Sequence, residues 1–312
     1  MSRNPFAITC LAALSLTAAA HAEIDHVVLE TPIVVQPGFT QNLEIDGLPL
    51  FDPEDPANAG QTPPFDVFVN HFFAPDFTTF QGISVRAFPG SVVLTGEAID
   101  VTYFPGTPSE TTLTHQALAN LAPGSPISRL NIGATGDATQ DFLGVLAVRG
   151  EQFGDFYVPD GQSITGMVGL SFVGLDTPFS ERENRRINYA WVEFEIVAPP
   201  AGNGLGTFTI TQWAYETEYD KPILAGETTN SVIDGDANLD GTVDLIDLSA
   251  LATNFGTSNG RFWDQGDFNL DGTVDLIDLS LLATNFGTTT VPEPASAALL
   301  TLSMLALTRR TK

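Results

Sequence analysis

Two twelve-residue acidic segments, Asp236 to Asp247 (DANLDGTVDLID) and Asp267 to Asp278 (DFNLDGTVDLID), recur 31 residues apart near the C-terminus. In each, oxygen-bearing side chains stand at positions 1, 3, 5, 9 and 12, and glycine stands at position 6, where the chain must turn sharply. This spacing wraps a hard cation that prefers about six to eight oxygen ligands. A single such loop is equally readable as a polar turn rich in Asp and Asn. Two in the same register point to a pair of calcium ions. The expected ligands are the side chains of Asp236, Asn238, Asp240, Asp244 and Asp247 in one loop and Asp267, Asn269, Asp271, Asp275 and Asp278 in the other. Thr242 and Thr273 would add backbone carbonyls.

Position 12 is Asp in both copies, where an ordinary EF-hand places a bidentate Glu. The stretches ahead of the loops, Thr228 to Ile233 and Thr257 to Gly266, lack the apolar period of an entering helix. After each loop, Leu245, Leu248, Leu251 and Phe255, and again Leu276, Leu279, Leu282 and Phe286, recur at helical spacing before Gly256 and Gly287. Each copy is therefore half an EF-hand, a loop with one exiting helix. Over Ile233 to Gly287 these features resemble a type I dockerin, a duplicated loop-helix module that plugs into cohesin domains and is often joined to polysaccharide-acting enzymes. The resemblance implies partner recognition at loop positions 10 and 11, here Leu245, Ile246, Leu276 and Ile277, and further along each helix. Read on their own, at least one residue of each pair is expected to be buried, since so short a module has little else to bury. Two similar helices related by a pseudo-twofold axis would offer one surface in two orientations. Ten Asp residues from Asp234 to Asp278 face only Arg261, so folding of the module should depend on the metal.

Residues 1–22 carry Arg3, an apolar run from Phe6 to Ala20 and Ala20-His21-Ala22 before Glu23, the pattern of a cleaved secretory signal. The only cysteine, Cys10, lies inside it, so the exported chain is expected to hold no disulfide. At the other end Val291-Pro292-Glu293-Pro294 precedes an apolar run from Ala295 to Leu307 and then Arg309, Arg310 and Lys312. As a helix that run spans about 20 Å, short of the roughly 30 Å hydrocarbon layer. Residues 291–312 resemble a PEP-CTERM sorting signal, the tail handled by exosortase systems of Gram-negative bacteria. That implies an extracellular or cell-surface protein, held at the membrane through this segment until processing. A plain C-terminal membrane anchor is the other reading of the same residues, and either keeps the basic end inside.

Between the signals lies a body over residues 23–228, followed by the module at 229–288. With 38 acidic residues against 12 basic ones and a net charge of -26, the chain repels nucleic acid and anionic lipid. Runs rich in Val, Ile, Phe, Tyr and Thr predict strands at Phe65 to Asn70, Ile83 to Phe88, Ser91 to Thr95, Ile99 to Phe104, Ser128 to Ile132, Phe142 to Val148, Phe153 to Val158, Ile164 to Val173, Ile187 to Val197 and Thr207 to Tyr215. Thr112 to Leu121 reads as the body's one helix, and Phe51 to Pro64 as an exposed loop. The fold class is mainly β, an antiparallel sandwich of jelly-roll type with a small α-helical half-EF-hand module.

Alternation in Ile187 to Val197 sends Ala190, Val192, Phe194 and Ile196 one way and Tyr189, Trp191, Glu193 and Glu195 the other. The next strand sets Thr209, Thr211, Trp213 and Tyr215 on a common face. Two readings follow for Tyr189, Trp191, Trp213 and Tyr215: an open platform for sugar rings, or, as the large areas that Trp and Tyr bury in sandwiches favour, aromatic core. Ile164 to Gly226 also resembles exported β-domains that precede such sorting tails. His26, His71 and His115 have no metal-ligand spacing, Asp52, Glu54 and Asp55 read as an acidic loop before a third cation site, and no catalytic residues can be named. The expectation is a non-catalytic surface or matrix protein docking through calcium loops to a cohesin-like or other surface protein. Its rival is an exported polysaccharide-binding or polysaccharide-degrading hydrolase.

Overall fold

The computed structural model describes residues 24–36, 40–46, 67–73, 81–87, 92–93, 95–103, 111–130, 142–146, 158–173, 187–198, 200, 206–258 and 260–289. The segments read above as secretory signal, sorting tail, Phe51 to Pro64 and Asp52, Glu54 and Asp55 lie outside them, as does most of Phe153 to Val158.

The strands run in the order β1 (Ile24–Val35), β2 (Thr40–Leu43), β3 (Val67–Phe73), β4 (Gln81–Ala87), β5 (Val92–Val93), β6 (Thr95–Tyr103), β7 (Thr111–Leu118), β8 (Pro126–Ile127), β9 (Phe142–Leu146), β10 (Ser163–Val173), β11 (Ile187–Val197), β12 (Thr207–Glu216) and β13 (Ile223–Leu224). Helices α1 (Leu245–Asn254) and α2 (Leu276–Asn285) follow, with a 3-10 turn at Trp263–Gln265 between them. One sheet has the order β1-β12-β11-β10-β5, a second β2-β3-β4-β9-β7-β6, and β13 pairs with β8. The chain is thus mainly β with antiparallel sheets, and β7 alongside β9 is a parallel pair.

Side chains from both large sheets meet in one core. Leu43, Val69 and Leu118 come from the six-stranded sheet, and Phe172, Phe194, Ile210 and Trp213 from the five-stranded one. This is the packing a sandwich requires, and burying each such side chain is worth about 1.5–3 kcal/mol. The opposite face of the five-stranded sheet is covered as well. Tyr189, Trp191, Met167 and Ala214 pack there against Ile127 and Ile223 of the β8-β13 pair. Hence β11 is buried on both faces over Asn188 to Val192 and alternates only beyond.

Three local expectations change. Thr112 to Leu121 is not a helix; its β-branched threonines lie in β7, which pairs antiparallel with β6, Leu113 opposite Val101. Of the strand expected at Ser128 to Ile132, the described residues Ser128 to Leu130 are bend and turn, and the pairing falls earlier, at Pro126–Ile127. The twelve-residue β1 was not anticipated, because Glu30-Thr31-Pro32 interrupts its pattern, and the register against β12 shifts between Val28 and Ile33. Among the described residues no helix is long and apolar enough to cross a membrane.

Candidate metal centre and docking face

Both acidic loops fold the same way, and backbone N–H groups dictate how. The Asp236 carboxylate accepts from the N–H of Asp240 at 3.2 Å and of Gly241 at 2.8 Å; Asp267 accepts from Asp271 and Gly272 at the same two distances. Asp247 Oδ1 accepts from Ala237 and Asn238 at 2.9 and 3.3 Å, drawing the last loop residue onto the second and third. Its Oδ2 accepts from Asp244 N–H at 2.8 Å, while Asp244 caps Ile246 N–H at 2.7 Å, a reciprocal capping box that starts α1. Asp278 and Asp275 repeat this set at the start of α2. Leu239 and Leu270 take left-handed backbone, φ 59° and 56°, and Gly241 and Gly272 follow at φ 84°. The glycine at position 6 is therefore a backbone requirement.

Asp247, Asp267 and Asp278 are fully buried and Asp236 is 3% exposed. Burial pushes the Asp236 carboxyl from 3.8 up to about 6, against the opposing Gly241 N–H, with Asp247 and Asp240 pushing the same way. Asp267 is raised to about 6 for the same leading reason, with Gly272, Asp278 and Asp271 in the matching places. Among the described residues no three His, Cys, Asp or Glu side chains stand together as a ready-made cage. In each loop the carboxylates of positions 1 and 12 accept from backbone N–H donors. Buried carboxylates facing one another are costly unless a cation joins them. The donor set of each loop, four Asp carboxylates and an Asn amide, suits calcium in chemistry.

The two repeats are interlocked. Val243 of the first loop exchanges backbone hydrogen bonds with Gly287 and Thr288 beyond α2, and Val274 of the second does so with Gly256 and Thr257 beyond α1. A Cβ at Gly235 would stand 2.9 Å from Leu282 Cα of α2, and one at Gly266 would stand 2.6 Å from Leu251 Cα of α1. Each loop thus leans on the other repeat's helix. Leu251, Leu282, Val243, Val274, Trp263 and Phe268 form the shared core.

That core leaves Leu245, Ile246, Leu276 and Ile277 outside. They are 70%, 60%, 71% and 54% exposed, which overturns the expectation that one of each pair is buried. The loops' own valines and the Trp263 and Phe268 rings fill the space that these side chains were expected to fill. Phe255 and Phe286, which close the two helical periods, are also exposed, at 45% and 49%. Further along α1 the exposed line continues through Ser249, Ala252 and Thr253, and along α2 through Ser280, Ala283 and Thr284. Residue for residue the two lines are the same. The helices differ only at Ala250 and Leu281, which pack against the module core. Sequence reasoning had not singled out the Ser, Ala and Thr positions, although their identity between copies was the available signal.

Tyr189, Trp191, Trp213 and Tyr215 do not form an open platform. Cross-strand register places Trp213 opposite Val192 and Tyr215 opposite Ala190, so both share the face away from Trp191 and Tyr189. A register shift at Glu193/Phe194 moves Thr209 to the other side from Trp213. Tyr189, Trp191 and Trp213 are buried, and only Tyr215 is partly open. The indoles of Trp191 and Trp213 donate to the carbonyls of Glu227 at 2.9 Å and Ile45 at 3.0 Å, as core tryptophans should. His26 shares a hydrogen bond with Gln212 at 2.9 Å.

Residues 234–287 match the family described as the dockerin type I domain. Domains of that type bind calcium and cohesin-type partners. No curated protein and no solved structure matches the chain.

Proposed function

We propose that this chain is an exported cell-surface or matrix protein whose dockerin-like module, loaded with two calcium ions, docks a cohesin-type receptor and thereby places the β-rich body. The identity of the two exposed helix lines carries this reading, because solvent-facing positions drift freely unless a partner reads them. Calcium would be held by Asp236, Asn238, Asp240, Thr242, Asp244 and Asp247, and by Asp267, Asn269, Asp271, Thr273, Asp275 and Asp278. Bound there, it neutralises the converging carboxylates and fixes the loops from which both helices start.

Leu245 and Ile246, with Leu276 and Ile277, would be the apolar anchors. Both pairs are open with the body in place, which supports recognition in either of two orientations. Export rests on residues 1–22 and 291–312, with Val291 to Pro294 as the element read by the sorting machinery. Pull-down on an immobilised cohesin domain tests the docking reading. Retention in calcium and release in chelator are expected, and indifference to chelator would count against it.

A further inference from the structure

Phe262-Trp263-Asp264, just ahead of the second loop, has no counterpart ahead of the first, where the chain reads Ser231-Val232-Ile233. This segment meets the body. The Arg129 guanidinium, next after the β8 strand and Ser128, lies 3.5 Å from the centre of the Phe262 ring. Lys221 Nζ stands 5.8 Å from the Trp263 ring and 3.5 Å from Glu218 Oε2. Both Lys221 and Trp263 are buried, at 7% and 3% exposure. Arg129, Tyr189 and Pro222 of the body and Leu239, Phe262 and Asp264 of the module line one crevice between them.

Trp263 also reaches into the metal loops. Its indole N–H donates to the Asp236 carbonyl at 2.7 Å, at position 1 of the first loop. Its ring meets Phe268, at position 2 of the second, edge-on at 5.4 Å. The crevice lining includes Ala237 and Leu239 of the first loop and no residue of the second. On this side the body faces the first loop across the crevice and reaches Phe268 of the second through Trp263.

We propose that Arg129 and Lys221 form a cationic seat on the body that holds the Phe262-Trp263 segment and so keeps the first loop wrapped, making the first calcium site tighter than the second. The proposal rests on the calcium reading above. An exposed Arg129 over the Phe262 ring and a buried Lys221 beside the Trp263 ring are together strong enough to shift an affinity on the order of tenfold. Linkage is reciprocal: calcium in the first loop fastens the module to the body by the same factor. The module then sits at a set angle to the body, with both helix lines facing outward.

Calorimetric titration of calcium into the exported chain, residues 23–312, tests this in two backgrounds. Asp271→Ala with Asp275→Ala leaves only the first loop competent, and Asp240→Ala with Asp244→Ala leaves only the second. Adding Arg129→Ala with Lys221→Ala is expected to weaken calcium about tenfold in the first background and less than about twofold in the second. Phe262→Leu, which removes the ring and keeps both cations, should reproduce the selective loss if the body variant is poorly folded. Unchanged affinity in both backgrounds, or equal loss in both, overturns the seat. Absence of calcium binding in the unaltered chain overturns instead the reading on which it rests.

Discussion

Asp247 Oδ1 lies 2.9 Å from the Ala237 N–H, so that the residue closing the first acidic loop also ties down its opening. The same carboxylate holds Asn238 and Asp244 N–H groups and is fully buried. Replacing it by alanine strands three backbone donors, each costing about 1–3 kcal/mol when buried and unsatisfied. Asp247→Ala is therefore expected to unfold the module even in calcium. Digestion within residues 229–289, followed by mass spectrometry, would reveal it, and wild-type resistance in the variant would contradict this account of the loop.

The two helix faces should be redundant. Leu245→Asp with Ile246→Asp, or Leu276→Asp with Ile277→Asp, alters exposed side chains and should shift stability by no more than about 0.5 kcal/mol. Either pair alone should leave cohesin retention within about twofold, since one helix still serves, whereas all four changes should abolish it. Surface plasmon resonance on the three variants decides the matter. If one pair alone removes binding, the two-orientation reading is wrong.

Glycine at the head of each loop is a packing requirement. At Gly266, with φ 96°, an added Cβ would stand 2.6 Å from Leu251 Cα, and backbone cannot retreat as a flexible side chain can. Gly266→Ala is expected to cost more than about 2 kcal/mol, from overpacking together with left-handed strain. Gly260→Ala keeps the strain, at φ 73°, but meets open space, so it should cost only about 1 kcal/mol. Calcium-loaded melting curves of the two variants provide the comparison.

Much of this was legible in the sequence, for a physical reason. Loop positions are fixed by local chemistry: oxygen-bearing side chains at positions 1, 3, 5, 9 and 12, a glycine where φ is positive, and Asp as both cap and closure. Such rules act over a dozen residues and survive without tertiary context. Strand β11 was legible to its ends because its run of β-branched and aromatic residues is free of Gly and Pro. The platform failed because pairing register, with its bulge at Thr211, decides which aromatics share a face, and no single strand encodes that. Burial of Leu245 and Ile246 failed for a related reason, since Trp263 and Phe268 come from outside the helices and fill the core first.

The body carries its own pH dependence at Glu216, which is 1% exposed; one carboxylate oxygen accepts Glu218 N–H at 2.9 Å and the other finds no hydrogen-bond partner among the described residues. Burial raises its pKa from 4.5 to about 7; the Glu218 N–H and Lys221 pull it down, and the Glu218 and Glu227 charges push it up. A carboxyl raised in the folded state costs nothing while both states are protonated. The cost begins as pH rises past the unfolded value and is complete above the folded one. Glu216→Gln should therefore leave stability near pH 4 unchanged and raise it by up to about 3 kcal/mol at pH 8. Denaturant melts at the two pH values test the sign, and a gain confined to low pH would refute it.

Hydrogen exchange read by mass spectrometry, on the chelator-stripped chain and again with calcium added, tests the central claim most directly. Calcium-dependent docking predicts that peptides covering 236–247 and 267–278 exchange freely without the metal and are both protected once it saturates, while peptides from β10 to β12 change little. Equal protection of both loops with and without calcium would contradict it.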